Sequence, residues 1–121
     1  MEQISIDDFA KVEIRVGEIL SAEKIEGSEK LLKLRVNFGT SASADGSGET
    51  KEERQVLSGI SAYFPEPQSL VGKRCLFVTN LAPRMMMGLE SQAMIMAVGG
   101  GDGEIPFSLF ETTSTPGARV H

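Results

Sequence analysis

Apolar and polar positions alternate most cleanly at Leu32, Leu34, Val36 and Phe38, with Lys33, Arg35 and Asn37 between them. A period of two marks a strand with one buried face, and Gly39 ends it. Val12, Ile14 and Val16 alternate in the same way with Glu13 and Arg15. That alternation slips at Gly17, because Ile19 stands where a polar residue is due. Glycine inside a strand often marks a bulge or bend, so a long first strand bent to serve two sheets is predicted. Strand character returns over residues 53–60 through Val56, Leu57 and Ile60, over 74–79 through Cys75-Leu76-Phe77-Val78, and over 92–98 through Ala93 to Val98. Ile105, Phe107 and Leu109 predict a last short strand.

The connections follow from the turn residues. Ser5-Ile6-Asp7-Asp8 fits a capping box with Asp in the Glu position, which predicts a helical turn over Ile6–Ala10 with Phe9 turned to the core. Residues 24–29 form a polar turn containing Gly27-Ser28. Residues 40–52 are mostly Ser, Ala, Gly, Thr and acid and cannot repay the entropy of ordering, so they are expected to form a flexible loop inserted between two antiparallel strands. Pro65 and Pro67 break the stretch up to Gly72, where a short helix over 66–71 is expected. Residues 80–91 hold Pro83, Arg84 and Gly88 and three consecutive methionines, Met85, Met86 and Met87. This reads as a loop with a cation and an apolar tip. Residues 99–103 and Pro116-Gly117 are turns. Five main strands, a short helix between the third and fourth, and a C-terminal extension make an all-β chain. That order matches the OB-fold, a five-stranded Greek-key barrel.

A chain of 121 residues is one domain. No apolar run approaches the roughly 20 residues of a membrane span, and the N-terminus lacks the pattern of a signal peptide. A single cysteine, Cys75, excludes an internal disulfide and suits a reducing compartment, so a cytoplasmic location is expected. Catalysis is not. The one histidine, His121, is the last residue. Cys75 lies inside an apolar run, and no Cys/His cluster has the spacing of a zinc site. Gly99-Gly100-Gly101 lacks the Lys-Ser/Thr and helix of a phosphate loop. Neither metal nor cofactor is expected.

The net charge of −5 opposes the basic footprint of a nucleic-acid binder. The acids Asp45, Glu49, Glu52 and Glu53 crowd into or beside one loop, however, while cations gather at Lys30, Lys33 and Arg35, at Lys73 and Arg74, and at Arg84. OB-folds bind oligonucleotides on the face of strands two and three and the nearby loops. Lys33 and Arg35 point outward there by alternation, Arg54 enters the third strand, and Arg84 sits in the loop. The seven aromatics fall mostly at core-facing positions. Single-strand binders need exposed rings for stacking, so folded RNA read by shape and backbone is the better fit.

The motif Asn80-Leu81-Ala82-Pro83-Arg84, with Met87-Gly88, Ser91 and Met94, resembles the C-terminal tRNA-binding domain of methionyl-tRNA synthetases. It is also similar to that domain's stand-alone relatives, the small tRNA-binding proteins and CsaA chaperones. Further matches are Asp8-Phe9-Ala10-Lys11-Val12, Ile14-Arg15-Val16-Gly17, residues 30–34, Arg54-Gln55-Val56, Ser58-Gly59-Ile60, Leu70-Val71-Gly72-Lys73 and Pro116-Gly117. The resemblance implies an OB-fold and a non-catalytic module that binds tRNA without choosing an amino-acid specificity. It implies tRNA contacts at the Ser-x-x-Met positions, Ser91 and Met94, and makes Asn80 and Arg84 candidates beside Lys33, Arg35 and Arg54. Relatives usually carry a lysine in this loop where methionine follows Arg84 here, and their connection across residues 40–52 is shorter. Residues three apart in an ideal strand face opposite ways, so Ser91 must lie in the loop, or a bulge must intervene, if both it and Met94 touch one RNA. The resemblance also implies a homodimer. The apolar residues beyond the barrel, Ile4, Ile6 and Phe9 at one end and Phe107, Leu109, Phe110 and Val120 at the other, agree with that. A domain or appendix of methionyl-tRNA synthetase and a free protein both stay open. Two rival readings remain: a CsaA-like binder of unfolded polypeptide and a purely structural dimerisation module.

Overall fold

The computed structural model describes residues 1–42, 49–100 and 107–121. Ser5 caps α1 (Ile6–Ala10) through the expected box: its hydroxyl accepts the Asp8 N–H and the Asp8 carboxylate accepts its own. Nine strands follow among the described residues: β1 Ile14–Lys24, β2 Leu32–Ala42, β3 Glu49–Ser58, β4 Arg74–Val78, β5 Arg84–Met86, β6 Leu89–Ser91, β7 Met94–Ile95, β8 Ala97–Val98 and β9 Ser108–Leu109. Five of them make one curled antiparallel sheet in the order β3-β2-β1-β4-β7. This is the half-barrel of an OB-like fold.

β1 is long, but it lies within one sheet, with a neighbour on each side, and does not serve the two sheets expected of it. Its first half pairs with β4 and its second with β2, and Glu18 is shared, opposite Arg74 on one side and Asn37 on the other. The slip at Gly17 has a steric cause. A Cβ there would lie 2.5 Å from Val36 Cγ1, 2.8 Å from Phe38 Cε1 and 2.9 Å from Phe77 Cδ1. The core therefore closes directly on the backbone, and two consecutive residues, Val16 and Gly17, are buried. The register shift in the β1–β2 ladder falls slightly later, between Ile19 and Ser21. Phe38 and Phe77 meet edge to face in the core, with ring centroids 5.2 Å apart, among Ile19, Leu32, Leu34, Val36, Val56, Leu70 and Cys75.

Four further expectations need correction. Residues 40–42 and 49–51 are not loop: Thr40 pairs with Lys51, Ser41 with Thr50 and Ala42 with Glu49. Ladder hydrogen bonds extend the hairpin beyond the point where side chains stop signalling it. Only the middle of the proposed insertion lies outside the described residues, as does Ile105. Phe9 does not turn to the core; it is 44% exposed and α1 buries nothing, because the helix stands off the barrel. Phe107 and Leu109 pack on the core and are not spare apolar surface. Between β3 and β4 the chain makes two 3₁₀ turns, Ser61–Tyr63 and Pro67–Leu70, in place of one short helix.

The C-terminal extension straps the barrel. Val16 N–H donates to Ala118 O (2.9 Å) and Val120 N–H to Ile14 O (2.8 Å), along the part of β1 that β2 has left. Leu76 N–H donates to Phe110 O and Thr112 N–H to Arg74 O along β4.

Candidate nucleic-acid interface

Residues 80–91 are more ordered than a loop. β5 and β6 pair as a hairpin, Arg84 opposite Ser91 and Met86 opposite Leu89. The turn is two residues, Met87 with φ 51° and Gly88 with φ 78°. Positive φ at both positions matches the right-handed twist of the flanking strands. Glycine accepts that conformation at little cost, whereas a methionine rarely does.

Side chains fasten this hairpin to the edge of β3. Ser91 is 6% exposed. Its hydroxyl accepts the Leu57 N–H at 3.0 Å and lies 3.1 Å from Ala93 O, to which it donates. Gln92 Oε1 accepts the Gln55 N–H at 3.0 Å, and the Gln55 side chain donates to Glu90 O at 3.0 Å. Arg54 Nη1 donates to two carbonyls, Thr79 O and, at 3.2 Å, Gln92 O. These residues immediately precede and follow the segment 80–91, so one guanidinium ties its two ends. Arg54 also pairs with Glu52 and lies over the Phe38 ring, 5.4 Å from its centroid. Asn80 closes the N-terminal side: its Oδ1 accepts the Glu13 N–H at 2.9 Å and its Nδ2 donates to Lys11 O. Thr79 Oγ1 donates to the Glu13 carboxylate at 2.7 Å. That hydrogen bond holds the Glu13 pKa below its usual value; partial burial opposes the shift and the cations Arg15, Arg119 and Arg54 support it.

The sequence-derived candidates thus divide. Arg84, Ser91 and Met94 do meet, around one pocket of about 90 Å³ that Leu57, Leu81, Ala82, Met86 and Ala93 complete. Arg84 and Met94 are exposed on its rim. Ser91 forms its floor, in hydrogen bonds to the backbone. Ser91 and Met94 belong to different sheets, which removes the alternation problem. Arg54 and Asn80 are engaged within the fold. Lys33 and Arg35 lie on the outward face of β2 in ion pairs, with Glu23 at 2.7 Å and Glu53 at 3.2 Å. Arg84 has no ion pair among the described residues.

Two further cations stand near the hairpin. Lys24 and Lys30 flank the β1–β2 turn, both exposed and without an ion pair among the described residues. A Cβ on Gly27 in that turn would be 3.7 Å from Met87 Cε, so the hairpin tip lies against the turn. OB-folds bind through the connections between the first and second and between the fourth and fifth barrel strands, which here are the β1–β2 turn and the segment from β4 to β7 that holds the hairpin. The position of that turn in the sequence was the available signal for Lys24 and Lys30.

An OB-like half-barrel with an anchored, cation-bearing hairpin beside its first turn defines a binding module of the oligonucleotide-binding class. Residues 14–119 match the family model described as "Putative tRNA binding domain", and the chain belongs to this tRNA-binding family. It is 40% identical over 117 residues, 97% of its length, to the methionine–tRNA ligase of Thermotoga maritima, of which it spans only 16%. It is also similar to a solved MetRS related protein from Pyrococcus horikoshii, at 36% identity and TM-score 0.82, with 100% of each chain covered. A CsaA chaperone protein from Picrophilus torridus is similar at 25% identity and TM-score 0.76, over 98% of this chain and 100% of that one. No helix among the described residues is long and apolar enough to cross a membrane.

Proposed function

We propose that this chain binds tRNA by shape and backbone, with Arg84, Lys30, Lys33 and Arg35 meeting phosphates and Met94 packing on the sugar–base surface. Arg54, Asn80 and Ser91 act by fixing the hairpin. The observation that carries the reading is Arg84: in a chain of the tRNA-binding family, it stands exposed and unpaired among the described residues, on a hairpin anchored at both ends. Lys33 and Arg35 can exchange their partners for phosphate, because exposed ion pairs contribute only about 0–1 kcal/mol. Among the described residues no aromatic lines the pocket, so stacking readout has no platform among them.

With few phosphate contacts on an acidic body, one copy binds weakly. A synthetase to which the domain belongs, or a second copy of the chain, raises the effective concentration. The relative that is a methionine–tRNA ligase supports the first arrangement and, with it, a cytoplasmic location. The exposed Ile6, Phe9, Val12 and Val120 around one groove support the homodimer. Total tRNA titrated by gel shift at about 50 mM and about 200 mM salt tests the reading, since phosphate contacts make affinity fall steeply over that range. Absence of binding at the lower salt overturns it.

A second reading rests on the apolar wall of the pocket, Leu81, Ala82, Met86, Ala93 and Met94. Methionine-lined surfaces adapt to varied apolar side chains, as a binder of unfolded polypeptide requires. Competition between tRNA and an unfolded polypeptide for the same chain separates the two.

A further inference from the structure

We propose that Met85, Met87 and Met94 form a peroxide-sensitive site, and that their oxidation to methionine sulfoxide releases tRNA from the hairpin. The inference rests on the tRNA-binding reading above. Five of the chain's six methionines fall within residues 85–96. Met85, Met87 and Met94 are 66%, 57% and 48% exposed, whereas Met86 and Met96 are half-buried.

Neither the core nor the backbone asks for methionine at these places. Exposed apolar side chains forgo the stabilisation of burial, and Met85 and Met87 do so at the hairpin while Met94 does so on β7 beside the pocket. Met87 also occupies a left-handed conformation that glycine or asparagine would take more readily. What methionine brings is a polarisable thioether, at Met85 and Met87 on a hairpin that Arg54, Ser91 and Asn80 hold in place and at Met94 on the neighbouring strand β7. The competing sulfur is protected: Cys75 is fully buried, and burial pushes its thiol pKa up to about 11, so the reactive thiolate is scarce.

The thioether sulfur attacks one oxygen of hydrogen peroxide and the O–O bond breaks. The proton on the transferred oxygen passes to the departing hydroxide, giving water. Sulfur loses two electrons and the peroxide gains them. The product is a polar side chain with a strong acceptor oxygen. At Met94 that oxygen enters the wall of the pocket that Arg84 also lines, where it competes with phosphate for the guanidinium donors. At Met87 it disturbs the contact between the hairpin tip and the Gly27 turn. Sulfoxide reductases reverse the chemistry, which makes the site a switch.

The test treats the whole chain with hydrogen peroxide, follows oxygen uptake by peptide mass mapping, and measures affinity for total tRNA before and after. The expected result is uptake at Met85, Met87 and Met94, alongside the fully exposed Met1 at the chain terminus and ahead of Met86 and Met96, with binding about tenfold weaker and restored by sulfoxide reductases. In the variant M85L/M87L/M94L, whatever its starting affinity, peroxide changes nothing. Earlier oxidation of Met86 or Met96, undiminished binding after full oxidation of the three, or the same loss in the leucine variant each overturns the inference. Should that variant fail to fold, reductase restoration of the oxidised natural chain decides the question: failure to restore overturns it. Untreated protein that binds no tRNA overturns the underlying reading, a result distinct from binding that peroxide leaves untouched.

Discussion

The Ser91 hydroxyl accepts the backbone N–H of Leu57 at 3.0 Å, so a side chain occupies the edge of β3 where another strand would pair. The residue that the tRNA-binding family points to as a contact is therefore part of the closure of the barrel. On the tRNA-binding reading proposed above, its influence on RNA passes through the hairpin it fixes.

Ser91→Ala and Arg84→Ala separate structure from contact. The first leaves the Leu57 N–H buried without its partner, at a cost of about 1–3 kcal/mol. The urea midpoint should fall, and tRNA affinity with it, while the salt slope keeps its value. The second should leave the midpoint within about 0.5 kcal/mol of its starting stability, weaken all tRNAs alike, and flatten the salt slope by about one phosphate contact. Discrimination among tRNAs by the Arg84 variant would refute backbone and shape recognition.

Arg54→Lys should behave almost as badly as Arg54→Ala. An ammonium cannot reproduce the planar fork that reaches the carbonyls of Thr79 and Gln92 while lying over Phe38. Amide exchange should speed up selectively over residues 80–91 in both variants. Equal protection in the lysine variant and the natural chain would show that charge alone suffices.

Phe9→Asp places a charge on the exposed groove formed by Ile6, Val12 and Val120. Since α1 buries nothing within the chain, monomer stability should hardly change. Sedimentation should then shift from dimer to monomer at micromolar concentration. A natural chain that already sediments only as monomer rules out the dimer.

Cys75 reports on unfolding. Burial pushes its pKa from the usual 9.0 to about 11, with Glu111 adding to the rise and Lys73 opposing it. Between these values the unfolded chain releases a proton that the folded chain keeps, so stability falls as pH rises through that window. Below it the thiol is protonated in both states and contributes no pH dependence. At pH 8, alkylation should therefore be slow in the native protein and rise in step with denaturant unfolding. Rapid alkylation of the native chain would place the thiol at the surface.

The sequence by itself determined the strands whose faces alternate. Leu32, Leu34, Val36 and Phe38 are all buried and Arg35 between them is exposed, because a period of two on a half-buried sheet leaves no other choice. It determined the cap of α1, since Ser5 and Asp8 satisfy each other locally. It also signalled, at Gly17, that the first strand departs from simple alternation. Tertiary structure decided what rests on partners distant in the chain. Residues 40–42 and 49–51 are strand because they pair with each other, although their composition reads as loop. Phe9 is exposed because the barrel offers α1 no place to dock, which a helical pattern cannot reveal. The hairpin at 84–91 was hidden by a methionine at a turn position that methionine rarely takes. Arg54 and Ser91 read as surface contacts from their types and positions. Only the carbonyls of Thr79 and Gln92 and the N–H of Leu57, brought to them by the curl of the sheet, turn them into the clasp that holds Arg84 at the surface.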